Sequence, residues 1–336
     1  MGDESTKYAS QLLLALEDPQ NMVGAGGRLD VSFLHQSFCM AGLPVRSPAD
    51  PRYFVRRDDR FSLMINSEFV GLPGSDQTFH VGVPWGAKAR LLTIWMATQA
   101  KDPSRNSGDR FLEIGAVKPW LASIGITPNG DGIARAKEQL IKLAFASFTM
   151  MFKESGVHMF KSDRLVDRAA FGDGDLLHFS QGSMEKVRWP LGIELTEKGL
   201  IRFREYGVPI PTSRLTAIAN NATAIDLFVF LCYRLPQLSP AESELVSWNA
   251  LAGQFGKVGG AREPPSRFRD TFEGSIAAAL RAYPEANVEL TDEGLVLRYS
   301  DPAVLRRAFI AASPEPATAR RRKRRNRTEE EPAMSQ

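Results

Sequence analysis

The sequence predicts an α+β fold, mainly α, in which three helices followed by a strand pair occur twice in tandem. Two observations predict it. Apolar residues recur at helical spacing in six segments between residues 86 and 283, and a Gly or Pro closes most of these segments. Each group of three helices is followed by a stretch in which apolar residues alternate, which is typical of strands.

The first group contains a short strand between its first two helices. Its predicted elements are helices over residues 86–100, 116–124 and 132–147, a strand over 110–114, and strand-like stretches over 148–152 and 189–203. This order of helix, strand, helix, helix and strand pair is that of a winged helix, whose third helix enters a DNA groove.

The order recurs in the second half of the chain. Helices are predicted over residues 223–235, 247–255 and 266–283, and a hairpin over 286–299 turns at Asp292-Glu293-Gly294. Residues 194–201 and 289–296 are identical at five of eight positions. This match favours a duplicated unit. The alternative is chance convergence, because the shared Leu-Thr-x-x-Gly is a common turn in winged helices.

These elements predict two tandem winged-helix domains, over residues 76–208 and 209–312. Residues 1–75 are rich in Gly, Pro and Ser, and they predict an irregular arm that packs incompletely, with one helix at 8–16 and a hairpin over 61–70. Residues 313–336 predict a disordered tail, since Arg320 to Arg327 is almost continuously basic and three glutamates follow.

Composition favours a protein that binds over one that catalyses. The chain has 336 residues, 43% of them hydrophobic, and a net charge of +3. No run of residues is apolar enough to span a membrane, and the acidic start is unlike a signal peptide, so a cytoplasmic protein is expected. The four histidines and two cysteines are scattered singly. We therefore expect no metal, no cofactor and no enzymatic activity.

On the third helix of the first group, three polar residues share one face opposite the apolar stripe. Arg135, Gln139 and Lys142 follow helical spacing. Arg and Gln can read base edges, and Lys can hold a phosphate. The alternative interpretation is an ordinary solvated face.

The third helix of the second group is preceded by a flexible basic segment that contains Lys257 and Arg262. Arg267 and Arg269 lie in its first turn, where backbone N–H groups favour a phosphate. Thr271 begins an outer row of small residues that continues with Gly274 and would allow close approach to a groove. The alternative is that these small residues pack against another helix.

Short motifs occur in a fixed order between residues 82 and 284. They are Gly82-Val-Pro-Trp-Gly-Ala-Lys-Ala-Arg-Leu-Leu92, Leu112-Glu-Ile-Gly115 with Trp120-Leu121 and Gly125-Ile126, Arg188-Trp-Pro190, Ala224-Ile-Asp-Leu227 with Arg234-Leu235, Val246-Ser-Trp248 with Gln254-Phe-Gly256, and Phe268-Arg269 with Tyr283-Pro284. This ordered set resembles the RepA-type plasmid replication initiators.

The resemblance implies a protein that binds repeated sequences in double-stranded origin DNA and helps to open the adjoining AT-rich duplex. It also implies partners, namely host replication initiation proteins and the replicative helicase, and a homodimer in equilibrium with the monomer is expected. Two alternatives stay open: a winged-helix transcriptional regulator that represses its own gene without initiating replication, and a scaffold whose winged helices bind protein.

Overall fold

The computed structural model describes residues 30–57, 61–102, 104–106, 108–154, 157–256 and 265–300. The chain divides into two compact units, residues 32–302 and residues 1–31 with 303–336, and nearly all described residues belong to the first. The helix predicted at residues 8–16 and the basic tail lie outside the described residues.

Helices and antiparallel strands are both present, and more residues are helical than extended, so the predicted mixed class is confirmed. The helices are α1 Gln36–Met40, α2 Gly86–Ala100, α3 Val117–Ser123, α4 Gly130–Ala144, α5 Asp175–Ser180, α6 Glu197–Glu205, α7 Thr212–Ala217, α8 Ala222–Arg234, α9 Trp248–Phe255 and α10 Pro265–Ala282. The strands are β1 Val31–His35, β2 Tyr53–Arg57, β3 Phe61–Ser67, β4 Phe69–Gly71, β5 Thr78–His80, β6 Phe111–Glu113, β7 Ala146–Glu154, β8 Val157–Arg164, β9 Val166–Ala169, β10 Gly192–Leu195, β11 Gly207–Pro211, β12 Ser243–Ser247, β13 Val288–Leu290 and β14 Gly294–Arg298.

The first module, residues 86–195, contains α2, β6, α3, α4, then β7 and β8 of a separate four-stranded sheet, and then β9, α5 and β10. Its three-stranded sheet has the order β6-β10-β9, with the last strand in the middle. Helix α2 has the predicted bounds and is buried on nearly every side. Asn129 begins α4, because its side-chain oxygen accepts a hydrogen bond from the Gly132 N–H at 2.8 Å.

The second module, residues 222–298, contains α8, β12, α9, α10, β13 and β14, an order similar to that of the first module without β7, β8 and α5. Its sheet has the order β12-β14-β13, so the last strand again lies in the middle. The predicted stripe of α10 is buried, with Phe272 2% and Ala279 1% exposed. Rings of Trp248, Phe268 and Phe272 pack together between α9 and α10.

The structure does not show the expected irregular arm in the part of residues 1–75 that it describes. Strand β3 lies in the middle of a four-stranded sheet of order β2-β3-β7-β8. Its alternation holds, since Leu63 and Ile65 are fully buried. The predicted hairpin over 61–70 is wrong, because β3 pairs with β2 and β7 while β4 pairs with β5. Apolar alternation identified the strand, but not its partners.

The strand predicted over residues 189–203 is also wrong, because β10 ends at Leu195 and α6 follows. In both similar octapeptides a Thr side chain accepts a hydrogen bond from the Gly N–H three residues later, in Thr196–Gly199 and in Thr291–Gly294. After the first, buried residues follow at helical spacing; after the second they alternate. The octapeptides therefore occupy different positions in their sheets and do not support duplication.

A buried ion pair joins the two modules. The Arg90 guanidinium on α2 donates to both carboxylate oxygens of Asp226 on α8, at 2.6 and 2.5 Å, and the two side chains are 4% and 3% exposed. Arg90 also donates to the backbone carbonyls of Leu43, Pro44 and Gly86. Every one of these contacts joins separate parts of the chain or closes a turn of α2.

Gly42 leaves the space that this ion pair occupies. A Cβ at Gly42 would lie 2.1 Å from an Asp226 carboxylate oxygen. Arg56 is 2% exposed and donates to the carbonyls of Gly42, Gly253 and Gly256, and burial lowers the pKa of its guanidinium to about 10. The segment around Gly42 is therefore held by two buried arginines.

Removing the charge of Asp226 tests how far the fold depends on this pair. We expect Asp226→Asn to lower the free energy of unfolding by about 3 kcal/mol, because the Arg90 guanidinium would stay buried without its counter-charge. Urea denaturation gives the value. Asp50→Asn is the control, since Asp50 pairs with Arg52 at the surface and its loss should leave stability almost unchanged. Equal effects of the two substitutions would contradict the structural role given to Asp226.

His35 is a partly buried side chain at the junction of β1 and α1. Its Nδ1 accepts a hydrogen bond from the Ser37 N–H at 3.1 Å, and its ring contacts Tyr206 edge-on. Burial, together with the positive charges of Arg202 and Lys161, lowers the pKa of the imidazole to about 4.

Acidification should therefore destabilise the fold through His35. The unfolded chain binds a proton near pH 6.5, but the folded chain does so only near pH 4, so stability is full above the first value and falls between the two. The loss is at most about 3 kcal/mol. His35→Asn keeps an acceptor for the Ser37 N–H and removes the titration, so its denaturation midpoint should change less over this pH range. Parallel curves for the parent and the variant would refute the assignment.

Candidate nucleic-acid interface

Helix α4 does not present the solvated face that the sequence predicted. Gln139 is 2% and Lys142 9% exposed. The segment before α2 covers them: the Trp85 N–H donates to Gln139 Oε1 at 2.7 Å, and a Cβ at Gly82 would lie 3.2 Å from Lys142 Cε. The three residues do share a face, but sequence spacing could not show that another segment packs on it.

Arg135 is the exposed member of the predicted trio. Its side chain is 52% exposed and lies 3.6 Å from Asp131 and 3.3 Å from Glu138. Its guanidinium is 5.8 Å from the centre of the Trp85 ring. Ion pairs at this exposure contribute little to stability, so the guanidinium can exchange these carboxylates for a phosphate.

Arg135 and Gln139 line an open cleft of about 490 Å³ between the first turns of α2 and α8. Arg46 and Lys88 line it as well. The Lys88 ammonium donates to Asn220 Oδ1 at 2.8 Å, and burial lowers the pKa of this lysine, although nearby Asp131 opposes the effect. Sequence reasoning missed Arg46, Lys88 and Asn220, because they come from three distant segments and meet only in the folded chain.

In the second module the predicted basic residues are only partly described. Lys257 and Arg262 lie outside the described residues, and nothing is described of the Arg267 side chain. Arg269 donates to Glu273 and Asp292, each at 3.1 Å, and lies 5.3 Å from the centre of the Trp248 ring. Hydrogen bonds to Asp292 and then Glu273 raise the pKa of its guanidinium. Arg269 thus links α10 to the turn of the hairpin.

The outer row of α10 is open. Thr271 is exposed, and its hydroxyl donates to the Phe268 carbonyl at 3.0 Å. Among the residues that the structure describes, none lies within 4 Å of a Cβ built at Gly274, so packing against them does not account for this glycine. Asp270 and Glu273 are exposed near this row, and Asp292 at the hairpin turn is 96% exposed. The surface therefore combines an accessible row of small residues with carboxylates around it.

Within the described residues, no group of three or more His, Cys, Asp and Glu side chains is arranged to hold a metal ion. None of the helices described is both long and apolar enough to cross a membrane. Cys39 and Cys232 are buried free thiols.

No family model and no curated protein sequence matches the chain. Among solved structures, it is similar to a crystal structure of selenomethionine derivatives of domains 2 and 3 of RctB, at 12% identity and a TM-score of 0.45, over 83% of this chain and 96% of that one. A second crystal structure of RctB domains 2-3 matches at 11% identity and a TM-score of 0.44, over 80% of this chain and 98% of that one. At these values neither match carries an inference about fold or function.

Two substitutions on α4 separate its buried side chain from its exposed one. Gln139→Leu should lower the free energy of unfolding by about 1–3 kcal/mol, because the backbone N–H of Trp85 loses its acceptor. Arg135→Ala, one turn away, should change it by no more than about 0.5 kcal/mol. Urea denaturation measures both. If Arg135→Ala proved the more destabilising, the description of this helix face would be wrong.

Proposed function

We propose that this chain is a replication initiator that binds repeated sequences in duplex origin DNA through two winged helices. The observation that carries the proposal is the repeated module. In each module a strand follows the first helix, two more helices follow, and the last strand lies in the middle of a three-stranded sheet, although the first module also contains β7, β8 and α5. This order resembles that of a winged helix, whose third helix faces DNA.

The resemblance to RepA-type initiators supports the initiator role. Its motifs lie at structurally specific points: the first supplies Arg90, and Ala224-Ile-Asp-Leu227 supplies Asp226, which together form the buried pair between the modules. Two motifs far apart in the chain are thus parts of one contact.

The second module is the better candidate for direct contact with a groove. Its third helix has an accessible outer row at Thr271 and Gly274, and Arg267 and Arg269 lie in its first turn. A helix N-terminus favours phosphate, and small residues allow close approach. Glu273 and Asp292 bind Arg269, so we infer that the first turn of α10 makes the main contact with a phosphate.

The proposed action is binding and distortion of DNA without catalysis. The free energy for opening would come from the additional protein–DNA interactions that a deformed duplex permits, and this needs no cofactor. Host initiation proteins and the replicative helicase are the proposed partners. The proposed oligomeric states are a monomer and a homodimer in equilibrium. A winged-helix autorepressor without an initiation role is the alternative, since the same DNA-binding surface would serve it.

Affinity for duplex DNA tests the groove assignment. Fluorescence anisotropy with the DNA that flanks the gene should show about tenfold weaker binding for Arg267→Ala. Binding by the parent should weaken with salt, with a log-log slope of about 0.9 per phosphate neutralised. Arg281→Ala is the matched control, because Arg281 is exposed in the last turn of the same helix. If Arg267→Ala and Arg135→Ala both bind like the parent, the groove assignment is wrong.

Plasmid maintenance separates the initiator from the regulator. An initiator supplied in trans supports a plasmid that carries only the origin, whereas a repressor does not. The absence of any salt-sensitive DNA affinity would instead favour a scaffold that binds protein.

A further inference from the structure

The cleft between the first turns of α2 and α8 has the chemistry of an anion site. Three of the side chains that line it are cationic, Arg46, Lys88 and Arg135, and among the described residues no carboxylate lines it. Arg46 is exposed and has no ion-pair partner within the described part of the chain. Arg135 contacts two carboxylates outside the lining, Glu138 at 3.3 Å and the 79% exposed Asp131 at 3.6 Å.

Two long helices begin at this cleft. Helix α2 has 15 residues, and no side chain caps its N-terminus. Helix α8 has 13 residues, and the Asn221 side chain at its start accepts a hydrogen bond from the Ala224 N–H. First-turn N–H groups that lack side-chain acceptors favour anions, and the helix dipoles act in the same direction. Both N-termini therefore add positive potential where the cations converge.

A buried donor without a partner gives an independent indication of a ligand. Gln139 lines the cleft and is 2% exposed. Its Oε1 accepts from the Trp85 N–H, which fixes the orientation of the amide, and its Nε2 has no hydrogen-bond partner among the described residues. A buried donor left unpaired is destabilising, so such a group is expected to meet an acceptor that completes the site.

We propose that this cleft binds a phosphate group, held by Lys88, Arg46 and Arg135 with the amide of Gln139 and the first turns of α2 and α8. Phosphate offers oxygens to several donors at once, and its negative charge would balance the three cationic side chains of the lining. The group belongs either to a free nucleotide or to a DNA backbone. The site does not depend on the winged helices, and phosphate binding is measured without DNA.

Binding of inorganic phosphate is the first test. At constant ionic strength, phosphate in place of chloride should raise the melting temperature of the full chain, since a ligand stabilises the state that it binds. Lys88→Gln and Arg46→Gln should each weaken phosphate binding by about tenfold in calorimetric titration. Lys118→Gln is the matched control, because Lys118 is exposed on α3 and does not line the cleft.

Two further ligands identify the source of the phosphate. Tighter binding of adenosine monophosphate than of phosphate, with no binding of adenosine, indicates a nucleotide. Loss of duplex affinity in Lys88→Gln, together with competition by phosphate, indicates the DNA backbone. Either result supports the site. Equal phosphate affinity in the parent and both cleft variants, or no binding of any of these ligands, overturns it, and a protein that still binds DNA through α10 would retain its proposed function.

Discussion

The buried pair of Arg90 and Asp226 is the contact on which the arrangement of the modules depends. An isolated buried charge is strongly unfavourable, so each of these side chains requires the other, and the five donor contacts of Arg90 leave it one position. We infer that this pair contributes less to the stability of the fold than to selecting one packing of α2 against α8. It joins α2 to α8 and the segment around Gly42 to both.

The functional surfaces follow from this constraint. Because α2 and α8 are joined near their first turns, both N-termini open into one cleft, and the turn before α2 is brought over α4. Gln139 and Lys142 are buried as a result. The third helix of the first module is thus partly covered, whereas the corresponding helix of the second keeps an open row at Gly274. Two modules of similar order therefore offer different surfaces.

The sequence predicted helices and strands more accurately than it predicted how they pair and which side chains they bury. Helix α2 was predicted with its bounds, and the stripe of α10 was correct, because periodicity and stop signals are local. The pairing of β3 with β7 and the burial of Gln139 depend on segments far away in the chain, which local patterns do not report. The strand predicted through residue 203 failed for another reason: the Thr-x-x-Gly bond begins a helix at Thr196 and a turn at Thr291, and only the spacing of later apolar residues separates the two.

The difference between the modules bears on how such a chain would read DNA. A third helix with an open row can approach base edges, while a covered one with a cationic rim can contact only a backbone or a separate anion. Sequence discrimination would then come from α10, and Arg46, Lys88 and Arg135 would add affinity without specificity. The Arg90–Asp226 pair joins the helices α2 and α8 whose first turns form the cleft, so substitutions there would affect this surface as well as the stability of the fold.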